Sequence, residues 1–185
     1  LLLNSHHGNP CPMTQSQVQV LDGAPIGARQ VRLSSVEGFR LGYTGINTPA
    51  DFLNPALFIT RADPSTGTCE LSKPLPVALK AGQTIGLITL KYQPFAGAVF
   101  ADGRANTAAA ETLAGWMMYV KAVCDFARET LGNSDPSTDA GFDLEVWNEM
   151  TFGSNFLSIA NYYDPAPAFS KPITYSGHKI GRAHV

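Results

Sequence analysis

The feature that most constrains this chain is one long helical stripe set between two apolar runs. Leu113, Trp116, Met117, Val120, Val123, Ala127 and Leu131 recur at steps of three and four, which lines them along one face of an α-helix. Asn106 or Thr107 can cap its start, Glu111 is expected in its positive first turn, and Gly132 is placed to end it. Ahead of the helix, Thr84-Ile85-Gly86-Leu87-Ile88-Thr89-Leu90 is nearly all apolar, as expected of a strand covered on both faces in a parallel sheet. Behind it, Phe142-Asp143-Leu144-Glu145-Val146-Trp147 reads as a second strand. Strand, helix, strand makes a βαβ unit with a right-handed crossover. The stripe would then cover the sheet, with Cys124 on its margin as an inert buried thiol.

The chain ahead of this unit has a different period. Val18 and Val20 alternate with glutamines, Val31 and Leu33 with Arg32 and Ser34, and Phe39, Leu41 and Tyr43 with Arg40 and Gly42. Period-two alternation predicts half-buried strands, and Asp22-Gly23 and Glu37-Gly38 break them where turns belong. Antiparallel ribbons are expected here. The stretch Ala56-Leu57-Phe58-Ile59-Thr60 suits a strand ended by the turn formers Asp63-Pro64-Ser65-Thr66-Gly67. Pro74 and Pro76 forbid a long helix before Lys80. For residues 77–79 a strand and a single helical turn both fit. Residues 92–106 read as a loop rich in Pro, Gly and Ala.

Composition narrows the function classes. Of 185 residues, 44% are hydrophobic and 15% charged, with a formal net charge of −2. That allows a packed core and gives no basic footprint for nucleic acid or a membrane surface. No run reaches the roughly 18 apolar residues of a membrane span. Cys11, Cys69 and Cys124 show no C-x-x-C spacing, so neither a zinc nor a redox motif is visible. The adjacent His6 and His7 lack a carboxylate or cysteine at ligand spacing and read as a solvated loop. No metal or organic cofactor is implied.

Residue 1 is a leucine, and Ile180-Gly181-Arg182-Ala183-His184-Val185 resembles the translation of a sequencing adapter. The expectation is an internal piece of a longer protein. It divides into a β-rich or irregular region at 1–83, an α/β segment at 84–179 and an adapter-like tail at 180–185.

Chemistry concentrates where the second strand ends. In parallel α/β architectures function collects at the carboxyl ends of strands, and Asn148 and Glu149 fall there. The run Glu145-Val146-Trp147-Asn148-Glu149 resembles the fourth-strand signature of retaining glycoside hydrolases built on the (β/α)₈ barrel, most of all the β-xylosidase and iduronidase-like group. Met150 stands where that group often has proline. The resemblance covers roughly residues 84 to 160. It implies a partial (β/α)₈ (TIM) barrel of α/β class, with 84–90 and 107–131 similar to its third strand and third helix. It further implies Glu149 as general acid/base and Asn148 as the residue hydrogen-bonded to the sugar 2-hydroxyl.

Such hydrolysis uses two carboxyl groups about 5–5.5 Å apart, one protonating the leaving oxygen and one attacking the anomeric carbon. The nucleophile is expected beyond the C-terminus, so this piece alone is expected to be inactive. Trp147, Tyr92, Phe152 and Phe156 are aromatics that could face a sugar ring, with core packing favoured for the two phenylalanines. Glu145 is expected in a mid-strand ion pair, Glu111 and Glu129 on the helix surface, and Glu37 and Glu70 in turns. The implied partner is a poly- or oligosaccharide, with neither nucleic acid nor membrane. The implied location, from substrate class alone, is extracellular or periplasmic. The alternatives are a non-catalytic carbohydrate-binding module or dead barrel, and a structural β-domain fused to an unrelated α/β enzyme.

Overall fold

The structure, a computed structural model, describes residues 13–47, 57–93, 97–133, 135, 141–143 and 159–171. Six strands form one sheet: β1 (Met13–Gln19), β2 (Gln30–Arg32), β3 (Thr44–Ile46), β4 (Leu57–Asp63), β5 (Thr68–Leu71) and β6 (Thr84–Leu90). Their order is β1-β6-β3-β4-β5-β2, and every neighbouring pair is antiparallel. One long helix follows, α1 (Thr107–Leu131), then a single 3₁₀ turn at Ile159–Asn161.

The described chain is therefore mostly β and is not a partial (β/α)₈ barrel. The error has a physical source in β6. This strand lies between β1 and β3, pairing Val18 with Ile85 on one side and Gly45 with Ile88 on the other. Its apolar run does report burial on both faces, but burial says nothing about direction. Ile85 and Leu87 point into one cluster while Ile88 and Leu90 point into another, so two covers exist without a parallel neighbour.

The sheet curls until its edge strands touch. Val20 bridges Leu33, the Leu21 N–H donates to the Arg32 carbonyl at 2.8 Å, and the Ser34 N–H donates to that of Gln19 at 2.9 Å. Inside the ring, every strand contributes to the main core: Val18, Val31, Ile46, Leu57, Ile59, Cys69, Leu71, Ile85 and Leu87, closed by Leu33, Leu75 and Leu79. The alternation read for Val18 and Val31 thus marks the inward face. The third alternating run does not form a strand. Residues 36–43 are turns, held by Tyr43 N–H to the Arg40 carbonyl at 2.9 Å. The stretch 77–79 resolves to one bridge, Leu79 with Ala24. The turn expected at 63–67 is present, with the Asp63 carboxylate accepting from the Ser65 amide at 2.9 Å and from the Thr66 hydroxyl at 3.0 Å. The Ser65 hydroxyl, which donates to the same carboxylate at 2.7 Å, does most to hold the Asp63 carboxyl below its ordinary pKa, followed by the Ser65 amide and the Thr66 hydroxyl.

A second, smaller cluster sits on the outer face. Phe58 points out from β4, and Tyr162 stacks on it with ring centroids 5.5 Å apart. Leu90 completes the buried set, with Met13, Ile88, Tyr92, Ile159 and Tyr163 at its margin.

The helix has the boundaries its caps predict. Asn106 accepts from the Ala108 amide, and Gly132 takes the left-handed conformation at φ 73°. Glu111, however, lies just past the first turn, which holds no acidic residue. Nor does the stripe cover the sheet: no α1 residue is buried. Trp116, Val120, Val123 and Ala127 are half-buried, whereas Leu113, Met117 and Leu131 are exposed. Cys124 is likewise only half-buried. The second strand of the expected βαβ unit, residues 142–147, lies almost wholly outside the described residues.

Candidate functional site

The first three turns of α1 meet the loops of the sheet, and this junction gathers polar side chains from distant parts of the chain. Asn106 fixes the approach. It accepts from Ala108 at 3.2 Å, donates through its amide nitrogen to the Gly97 carbonyl at 3.1 Å, and donates its backbone N–H to the Ala98 carbonyl at 2.9 Å. One turn on, the Thr112 hydroxyl lies 2.6 Å from the Gln93 carbonyl and 2.8 Å from that of Ala108. Gly115 then rests against the Tyr92 ring, leaving no room for a Cβ.

Glu111 projects from this end of the helix towards the turn at 40–43. The Tyr43 hydroxyl donates to its Oε2 at 3.1 Å, and the Arg40 guanidinium stands 3.9 Å from the same oxygen. Arg40 also lies 4.0 Å above the Tyr43 ring and donates to the carbonyls of Leu90 and Lys91 at 3.3 and 3.2 Å. On the other side, Gln93 Nε2 donates to the Gly42 carbonyl at 2.9 Å and lies 3.5 Å from the Tyr163 hydroxyl.

Burial raises the pKa of Tyr43, reinforced by its bond to Glu111 and opposed by the Arg40 charge. Burial pushes the Tyr163 phenol up to about 12, against the Gln93 donor. Both phenols therefore stay protonated at neutral pH and act there as hydrogen-bond partners, not bases.

Of the sequence-derived site residues, the structure describes Tyr92. Its ring packs on α1 at Gly115 and at the margin of the outer aromatic cluster, with Lys91 Nζ 5.3 Å from its centroid. Trp147, Asn148 and Glu149 lie outside the described residues, as do His6, His7, Cys11, Glu145, Phe152 and Phe156. The junction of Arg40, Tyr43, Gln93, Glu111 and Tyr163 was not anticipated. A usable signal was the pair Gly38 and Gly42, both with positive φ, which punctuates 38–43 as successive turns instead of a strand.

No family model, curated protein or solved structure matches the chain.

Cys69 is a buried free thiol and Cys124 a half-buried one. Burial raises the Cys69 pKa to about 11, which keeps it unreactive. Among the described residues no group of three His, Cys, Asp or Glu could hold a metal ion, and no helix is long and apolar enough to cross a membrane. Glu70, expected in a turn, belongs to β5 and stands 3.8 Å from Arg61.

Proposed function

We propose that this chain carries part of the active centre of a retaining glycoside hydrolase acting on O-glycosidic bonds in poly- or oligosaccharides. Glu149 is its general acid/base, Asn148 orients the sugar through the 2-hydroxyl, and Trp147 offers an apolar face to the ring. The observation that supports this is the run Glu145-Val146-Trp147-Asn148-Glu149 at the close of an apolar stretch. The residue types fit the chemistry: a carboxyl group to protonate the leaving oxygen, and beside it an amide that binds hydroxyls without a competing charge. The proposal rests on that run and not on a barrel.

The test is Glu149→Gln in the product of the complete gene. Without an acid to protonate the leaving oxygen, turnover of unactivated oligosaccharide falls by about 10²–10⁴-fold. Release of the first equivalent of phenolate from an activated aryl glycoside, which needs little protonation, is retained. A variant that turns over oligosaccharide like the parent sinks the reading.

A second reading is non-catalytic carbohydrate binding, favoured by the all-antiparallel ring, since small antiparallel barrels also serve as oligosaccharide-binding bodies. Under it, calorimetry detects sugar binding by the unmutated protein while no reducing ends accumulate.

A further inference from the structure

The sheet is not finished by its own six strands. Phe58 faces outward from β4, and part of what buries it, Ile159, Tyr162 and Tyr163, comes from beyond α1. Ser72 is the anchor. Its buried hydroxyl accepts from the Phe58 amide at 3.0 Å and donates to the Tyr162 carbonyl at 2.6 Å. The Ser72 carbonyl in turn accepts from the Asp164 amide at 2.9 Å. Arg29 seals the outside, donating to the Asp164 carbonyl at 2.7 Å and to its Oδ2 at 2.8 Å. Tyr162 stacks on Phe58, and Tyr163 lies across it with centroids 5.7 Å apart. The Tyr163 hydroxyl also meets Gln93, which lies just past the end of β6.

The chain thus leaves the sheet at Gln93 and returns to the same spot at Tyr163. We propose that residues 159–164 are a clamp belonging to the β unit, and that α1 beyond its first three turns opens separately from that unit. Two observations favour separate opening: the clamp's bonds go to Ser72, Phe58 and Arg29 of the sheet and its loops, and α1 buries none of its own residues. Cooperative units follow such divisions of buried contact. The clamp stands whatever Glu149 does.

Native-state hydrogen exchange on the full chain, followed residue by residue in rising denaturant, tests it. In the unmutated protein the Asp164 amide shares its opening with the Ser72 amide, which bonds the Phe58 carbonyl at 2.8 Å, while the amides of 120–131 exchange through an easier opening. Ser72→Ala removes the hydroxyl's bonds to the Phe58 amide and the Tyr162 carbonyl but no bond between backbone groups. It speeds exchange at Asp164 and Ser72 together by about tenfold or more and in α1 by less than about twofold. Arg29→Ala, at the exposed side of the clamp, speeds Asp164 and Ser72 together by a few-fold, leaves 120–131 within about twofold, and keeps the fold if Ser72→Ala does not. An Asp164 amide that opens with α1, or a Ser72→Ala effect of equal size in α1 and the clamp, overturns the proposal.

Discussion

At the scale of single residues, space and backbone angle decide what can be replaced. Gly67 has φ +71°, and a Cβ there would run into the Leu33 carbonyl, which follows β2 in the ring. Gly82 has φ +75° but open space around it. Gly67→Ala should therefore destabilise by more than about 2 kcal/mol, from the left-handed backbone and the clash together, and Gly82→Ala by about 1 kcal/mol from the backbone alone. Urea midpoints of the two variants check the ordering. The turn itself was legible from Asp63-Pro64-Ser65-Thr66-Gly67, because an Asp side chain binding groups two and three residues on is local chemistry. The collision with Leu33 was not, since it depends on a contact from across the sheet. Glu111 shows the same limit. That it lies on the helix could be read from spacing, but not that it falls past the first turn, nor its meeting with Tyr43 and Arg40.

At the scale of elements, α1 was the most legible part because its ends are written in neighbouring residues. Asn106 has two partners there, the Ala108 amide and the Gly97 carbonyl. Asn106→Ala should cost about 1–3 kcal/mol, combining a lost cap with a buried carbonyl left without its donor. Asn106→Asp keeps the cap acceptor and loses only the donor, so its helix should melt between those of the parent and the alanine variant when followed by circular dichroism at about 222 nm, where helical amides absorb. Similar melting of both variants would remove the Gly97 contact from the account. β1, β2, β4 and β6 were legible as segments and not as a sheet, whereas β3 and β5, three and four residues long, carry too short a pattern to be read. Alternation at Val18 and Val31 marked the inward face correctly, whereas the apolar run of β6 was compatible with either strand direction. The alternation at Phe39, Leu41 and Tyr43 misled, since two glycines with positive φ, Gly38 and Gly42, bend that stretch into turns.

At the scale of the whole molecule, the two most shifted groups among the described residues lie in different cores, Cys69 within the ring and Tyr163 at the edge of the outer cluster. Both have pKa values raised by burial, from 9.0 to about 11 and from 10.0 to about 12. The folded state thus holds these protons more tightly than the unfolded chain. Their contribution is fully present below about pH 9, and it is lost as pH rises through 9 to 11 for the thiol and 10 to 12 for the phenol. Urea unfolding at stepped pH should show stability falling across that window. Cys69→Ala should flatten the lower part and Tyr163→Phe the upper. Curves parallel to the parent's would assign alkaline unfolding to other groups.

The meeting of Val20 with Leu33 has a consequence for how copies of this chain behave in a crowd. An open antiparallel sheet offers its outermost backbone as a template on which another polypeptide can lie down and continue the ladder. Here the last strand turns back and spends part of that template on the first, so growth from chain to chain is discouraged at the seam by the same bonds that shut the ring.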